Sequence, residues 1–372
     1  MPRQDAGIVI QSLSSEAGTV KDAHIIAVDS LSELAKRFKD LPSEQAFAIS
    51  PMPVNAHVHL DLTEMPLFQG GYSNFLQRVT AFVRAQKGPA IAAVKQGLAE
   101  MAASGIKVFG DIVRYKEVMY YLLEEASYQG FQGVAYWEVI APRAEDADRV
   151  FAETVALIEE FKSFERANGI RVGLSPHTPH TVSAELLKKL ARFAQIKKIP
   201  MQIHLAESPE EVLFHREGRG PLRDMLTSVL SVSDWQPSGL SPLKYLASLG
   251  VLEAAPTLVH MVQVDEDDIR LLAKSDAVVI HCPRSNQNLE CGRFPWELYM
   301  RYGVEVALGT DSRGSSPTLN LKDEVMAAID LHGDKLNPLS LIRSSVKGGY
   351  KALALPIPRF QRGDSAEKFY IW

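Results

Sequence analysis

Eight short apolar runs, alternating with longer stretches of helical character, constrain the fold of this chain more than any other feature. They cover 52–59, 106–112, 133–140, 170–177, 199–204, 256–260, 277–282 and 304–310. Each is close to continuously apolar rather than alternating, the pattern of strands buried on both faces of a parallel sheet. Helix signals lie between them. The stretch 90–104 has apolar residues at helical spacing and stops before Gly105, a C-cap residue. The stretch 146–168 is long and amphipathic and closes on Asn168-Gly169, and 183–197 opens on Ser183 as N-cap. The stretch 265–274 opens on Asp265 and fills its first turn with acids, which suits the helix dipole, and 321–332 follows the last strand. Eight strand–helix units predict an α/β fold, a (β/α)₈ barrel over 51–355.

The ends fall outside that alternation. Residues 7–13 and 24–28 read as short strands, and 367–372 as a short aromatic strand after the Gly363-Asp364 turn. Chain ends often lie close together, so 1–50 and 356–372 are expected to form a small β accessory layer. The composition, 46% hydrophobic and 23% charged over 372 residues, is ordinary for a soluble globular protein. A net charge of −5 argues against a surface that tracks nucleic-acid phosphates. Cys282 and Cys291 are too few for a disulfide framework and read as reduced thiols in a cytoplasmic setting. No signal peptide is expected, and no apolar run reaches the roughly 18 residues a membrane span needs.

Active sites of such barrels sit at the C-terminal ends of the strands, and six of the ten histidines fall there. The first strand ends in His57 and His59, whose i, i+2 spacing turns both imidazoles to one face. The fourth ends in His177, the fifth in His204 with Glu207 three residues on, the sixth in His260, the seventh near His281, and the eighth in Gly309-Thr310-Asp311. Three imidazoles (His57, His59, His204) and the Asp311 carboxylate suit Zn²⁺ with room for a water, whose pKa such an ion lowers toward about 7. Imidazole and carboxylate suit several divalent ions, and the sequence does not choose among them. Glu207 is one carboxylate too many for a closed site and is better used as a proton shuttle, the bland alternative being a helix-start acid. His260 either holds or deprotonates the water, stabilises charge on the substrate, or is a satisfied core histidine. His177, in the rigid run Ser175-Pro176-His177-Thr178-Pro179, either touches substrate or packs. Glu138 reaches toward the pocket from the third strand. Arg284 and Asn286 either hold an anionic or polar substrate group or form a solvated turn. His281 reads as structural. His215 and His332, on helical stretches, are expected at the surface. Cys291 has no evident base beside it and is not read as a nucleophile.

The ordered set Asn55-Ala56-His57-Val58-His59, Ser175-Pro176-His177-Thr178-Pro179, His204-Leu205-Ala206-Glu207, Val259-His260, Cys282-Pro283-Arg284-Ser285-Asn286 and Gly309-Thr310-Asp311-Ser312 resembles the amidohydrolase superfamily, in its chlorohydrolase and nucleoside deaminase branch. The resemblance runs from about 51 to 355. It implies one divalent ion, usually Zn²⁺ or Fe²⁺, on His57, His59, His204 and Asp311, with Glu207 carrying a proton to a ring nitrogen and His260 and Asp311 orienting and activating water. The fourth strand offers no lysine to be carboxylated, which argues against the two-metal members. Residues 1–50 depart from the pattern, lacking a clear counterpart of the usual longer N-terminal β segment. Within the branch, Gly110-Asp111-Ile112-Val113, Leu289-Glu290-Cys291-Gly292 and Val346-Lys347-Gly348-Gly349 resemble the proteins assigned as 6-amino-6-deoxyfutalosine deaminases of the futalosine route to menaquinone. That likeness implies a small nucleoside-like substrate whose carboxylate calls for a cation, with Arg284, Arg313 and Arg114 as candidates. The alternatives are another heterocycle aminohydrolase or chlorohydrolase, acting on adenosine, S-adenosylhomocysteine, guanine, a triazine or a pterin, and a non-catalytic barrel that binds metal or nucleoside. The sequence is silent on assembly, although barrels of this type often pair as homodimers.

Overall fold

The structure is a computed structural model that describes residues 5–14, 20–86, 88, 90–230, 235–365 and 369–372, with backbone alone for 12–14, 20–22 and 334. The chain divides into two compact units, Met1–Pro53 with Pro356–Trp372, and Val54–Leu355.

In the first unit, β1 (Ala6–Ser14) and β2 (Val20–Ser30) form an antiparallel pair, and β3 (Ile49–Pro51) pairs antiparallel with a strand from the C-terminal end, Phe369–Ile371. Ile25 and the Gly363-Asp364 turn exchange backbone hydrogen bonds, Ile25 N to Asp364 O at 2.9 Å and Gly363 N to Ile25 O at 2.8 Å. The expected strand at 367–372 is therefore seen at 369–371, and residues 367 and 368 lie outside the described residues. A helix, Leu31–Arg37, was not expected. Its N-cap Ser30 accepts from Glu33 N, and Lys36 and Arg37 close its last turn.

The second unit is the barrel. Its strands follow chain order: β4 (Val54–Val58), β5 (Val108–Val113), β6 (Gln132–Val139) and β7 (Ile170–Pro176) form one parallel sheet, and β8 (Gln202–Leu205), β9 (Thr257–His260), β10 (Val278–His281) and β11 (Val306–Leu308) the other. Both seams are stitched. Leu174 bridges Met201 in parallel, with Leu174 N donating to Pro200 O at 2.9 Å. Val58 bridges Asp311 in parallel, with Thr310 N and Asp311 N both donating to His57 O at 3.1 Å. Every residue of β4, β5, β8, β9, β10 and β11 is buried, which is why these runs read as continuous rather than alternating. Each fully buried Leu or Ile among them contributes roughly 1.5–3 kcal/mol.

The second seam is tight. A Cβ on Gly309 would meet His57 Cβ at 2.8 Å and His57 O at 2.9 Å, so only glycine lets the last strand approach the first. Asn55 locks the same seam, its Nδ2 donating to Thr310 Oγ1 at 2.8 Å and its Oδ1 accepting from Thr310 N at 3.0 Å. The expected helices are present at Ile91–Ala103, Ala147–Lys162, Ala184–Lys197, Glu266–Leu272 and Leu321–His332. The second of these ends six residues before Asn168, which takes a left-handed turn (φ 60°) into β7. The helical stretch expected around His215 is the helix Pro209–Glu217, with Ser208 as N-cap and Pro209 in its first turn as start signals.

Candidate active site

Four polar side chains converge where β4, β8 and β11 end. His57 Nε2 and His59 Nε2 each lie 3.5 Å from Asp311 Oδ1, and His59 Nε2 lies 3.3 Å from His204 Nε2. An ion with bonds of about 2.0–2.1 Å at tetrahedral angles sets its ligands roughly 3.3–3.4 Å apart. Three of the separations among these residues are therefore those one divalent ion would set. His57 Nε2 is buried and has no hydrogen-bond partner among the described residues, the signature of a lone pair kept for a cation.

The far side of two rings fixes which nitrogen is free. His57 Nδ1 lies 2.6 Å from Gln202 Oε1, and His204 Nδ1 lies 3.1 Å from the carbonyl of His177. Both partners only accept, so each Nδ1 carries the hydrogen and each Nε2 presents its lone pair. Gln202 is itself tied by its Nε2 to Ala56 O at 3.2 Å. Burial first, then the neighbouring imidazoles, hold His59 and His204 well below the usual histidine range, so both are neutral and able to bind metal. Burial works against a charge on Asp311. The nearness of His57 first, then of His59 and His260, outweighs it and keeps this carboxylate well below its usual range. Its Oδ2 also accepts from Ser285 Oγ at 2.6 Å and Ser315 Oγ at 3.0 Å. Asp311 (φ 59°), His260 (φ 74°), Met261 (φ 48°) and Ala206 (φ 50°) all have left-handed backbone without being glycine. Such conformations cost energy and cluster at functional sites.

Glu207 stands beside this group. Its Oε2 is 3.5 Å from His260 Nε2, and its Oε1 is 3.8 Å from Cys291 Sγ. Burial, then the charges of Asp311 and Glu211, raise its carboxyl well above the usual range, against hydrogen bonds from Tyr72 and Cys291. Cys291 thus has an acid beside it, and burial pushes its thiol up, so it stays protonated and donates. The Glu207 backbone is held from behind: Glu207 N donates to Glu211 Oε2 at 2.7 Å and Ala206 N to Glu211 Oε1 at 3.0 Å.

His260 is oriented by an amide. Asn286 Nδ2 donates to His260 Nδ1 at 2.9 Å, while its Oδ1 accepts from His281 Nδ1 at 3.2 Å. Asn286 is 1% exposed, so its place is between two rings rather than against a substrate. His260 Nε2 then carries the hydrogen, and burial holds the ring down to about 3, hence neutral. His281, read as structural, supports this relay from a stack on Phe294 with ring centroids 4.1 Å apart.

The remaining expected residues are distributed unevenly. His177 lies at the mouth, its Nδ1 2.8 Å from Thr181 Oγ1 and its Nε2 4.0 Å from Glu138 Oε1, with its ring 5.2 Å from that of His204. Arg284 is turned away: its Nε donates to Glu324 Oε1 at 2.7 Å, its Nη1 to Thr318 Oγ1 at 2.9 Å and its Nη2 to Thr318 O at 2.8 Å. Its donors are committed to the chain's own groups, which leaves a role on a substrate anion without support. Arg114 is likewise held by Asp61, with Nε to Oδ2 at 2.8 Å. Arg313 is the least committed, 3.7 Å from Glu100 Oε1 and one-third exposed. His215 and His332 are not at the surface; they are 0% and 3% exposed, because the helices that carry them turn those faces inward. Tyr72, Gln202 and Glu211 were missed, since none ends a strand in the sequence pattern. Asp111 accepts a hydrogen bond from Leu60 N at 2.9 Å and so pins the backbone just past His59.

Residues 48–371 match the amidohydrolase family. An aminodeoxyfutalosine deaminase of Deinococcus radiodurans is 40% identical over 348 residues, which cover 91% of this chain and 82% of that protein. The solved structure of an aminofutalosine deaminase from Helicobacter pylori, in complex with methylthio-coformycin, aligns with a TM-score of 0.77 over 97% of this chain and 86% of that one; at 20% identity this is a likeness of fold. A zinc-bound adenosine deaminase from Xanthomonas campestris aligns with a TM-score of 0.72 at 25% identity, over 94% of this chain and 79% of that one.

Proposed function

Since the chain belongs to the amidohydrolase family, we propose that it is a metal-dependent hydrolytic deaminase of an adenine-type nucleoside, with 6-amino-6-deoxyfutalosine as substrate and futalosine and ammonia as products, a step of the route to menaquinone. The Deinococcus relative supports the substrate class. The observation that carries the reaction type is Glu207: a buried carboxyl beside the ion position, with its pKa raised so that it holds a proton, and not needed to hold the ion.

His57, His59, His204 and Asp311 would hold the ion, zinc being the reading their nitrogen and oxygen donors and the zinc-bound relative support. When bound, such an ion supplies a Lewis acid that makes water nucleophilic at neutral pH. Asp311, kept ionised, takes one proton from the water as its oxygen adds to the amino-bearing carbon. Glu207 gives its proton to the adjacent ring nitrogen. His260, with hydrogen on Nε2, donates to the oxygen where negative charge develops. The proton on Asp311 passes to the amino group, which leaves as ammonia. The hydroxyl proton returns to Glu207, leaving a 6-oxo product and both carboxyl groups as they began. His177 and Glu138 border the mouth where the nucleoside would lie, and Arg313 is the cation best placed by its freedom to receive the substrate's carboxylate.

The test is ammonia release and the adenine-to-hypoxanthine absorbance shift with metal-loaded protein. Turnover is expected on 6-amino-6-deoxyfutalosine in preference to adenosine and S-adenosylhomocysteine. Reversed preference moves the substrate, and no turnover on any of the three removes the deaminase reading.

A further inference from the structure

Away from the strand ends, a second group of side chains has the makings of an ion site. His180 lies in the loop after β7, and Glu211 and His215 sit one turn apart on one face of the helix Pro209–Glu217. The three are 2%, 1% and 0% exposed. One ligand atom from each lies within 4.8 Å of the others, with His180 Nδ1 4.0 Å from Glu211 Oε1. Among the described residues, none of the four ring nitrogens of His180 and His215 has a hydrogen-bond partner. Buried polar groups are almost always satisfied, so four orphans in one cluster call for an occupant.

The chemistry of the cluster selects that occupant. Burial holds His180 well below the usual histidine range and His215 down to about 3, so both rings are neutral. The rings of Phe214, Trp235 and Tyr245 pack around His215, and Phe214 also meets His180. Each neutral ring has one lone pair that the right tautomer turns toward Glu211, whose carboxyl burial raises to about 7, all within a mostly aromatic shell. A divalent cation takes one lone pair from each ring and an oxygen of Glu211 at once, displaces any proton from that carboxyl, and leaves the other nitrogen of each ring with its hydrogen.

We propose that His180, Glu211 and His215 form a second metal site, of the two-histidine, one-carboxylate kind that takes zinc, distinct from the ion position at His57, His59, His204 and Asp311. Its role is structural. Glu211 already accepts the backbone N–H groups of Ala206 and Glu207, so an ion on Glu211 fixes the segment that aims the proton-carrying Glu207. The site ties the loop after β7 to the helix after β8, two segments that border the active site from adjacent strands.

The proposal concerns ion content, so it stands or falls separately from the reaction. The full chain is loaded with zinc, cleared of excess by gel filtration and assayed by mass spectrometry for ions per chain. Two are expected in the unaltered protein. The H57A/H59A variant, stripped of two of the four strand-end ligands, should keep one, and adding H215Q should remove it. Cobalt(II) loaded into H57A/H59A should give the visible d–d bands of a low-coordinate site, lost again with H215Q. An H57A/H59A chain that holds no ion overturns the proposal, as does an ion that survives H215Q. Because the first variant leaves the cluster intact, the result does not depend on whether changes within the cluster still fold.

Discussion

The two histidine clusters of this barrel are built in opposite ways. At the strand ends, His57 is braced from behind by Gln202 and His204 by the His177 carbonyl, and these partners assign the tautomer. In the cluster of His180, Glu211 and His215, the carboxylate takes two backbone N–H groups, while among the described residues the ring nitrogens have no hydrogen-bond partner. The first cluster is set to a fixed geometry before anything binds, as catalysis requires. The second has what is needed for an ion that completes the packing. Changes at the first should therefore act on turnover and ion affinity, and changes at the second on stability.

The largest effect is expected at Glu207. The E207Q variant should lose about 10²–10⁴-fold in kcat while its ion content is unchanged; if kcat survives, Glu207 is not the proton carrier. The unaltered enzyme adds a sign to this. A carboxyl raised above its usual range is loaded at neutral pH and emptied as pH rises through that raised value. The pH profile of kcat/KM should therefore fall on its alkaline side.

Next in size is Q202L, which removes the acceptor behind His57. Loss of such a partner typically costs 10–100-fold in ion affinity, measured by competition with a chelator, with little change in thermal stability. Equal losses of both would erase the contrast between the clusters. The smallest effect belongs to E211A, which leaves two backbone donors unpaired. It should lower unfolding stability by about 1–3 kcal/mol in a denaturant titration, with kcat falling less than in E207Q. A variant as inactive as E207Q but equally stable would place Glu211 in the chemistry instead.

The same contrast explains what the sequence made legible. The eight strands emerged within a few residues because six are buried along their whole length and β6 and β7 along most of theirs, so the pattern is close to continuous and hard to mistake. His57, His59, His204, His260 and Asp311 stood out because a barrel gathers whatever ends its strands. Helix-borne groups carry no such address. His215 looked like surface because its helix is short and its face could not be assigned without knowing that Trp235 and Tyr245 pack on it. Arg284 shows the reverse failure: its type suits an anion, but Glu324, forty residues further along the chain, claims it. Asn286 and Gln202 are polar residues whose work is done on other side chains, and only three-dimensional neighbours reveal that.

At Gly309 the barrel is gauged by an atom it lacks. A single methyl there would wedge the first stave from the last, and the imidazole of His57 rides on one while the carboxylate of Asp311 hangs from the other. Whether two donors can share a cation thus depends on a gap of one hydrogen's width at the root of both.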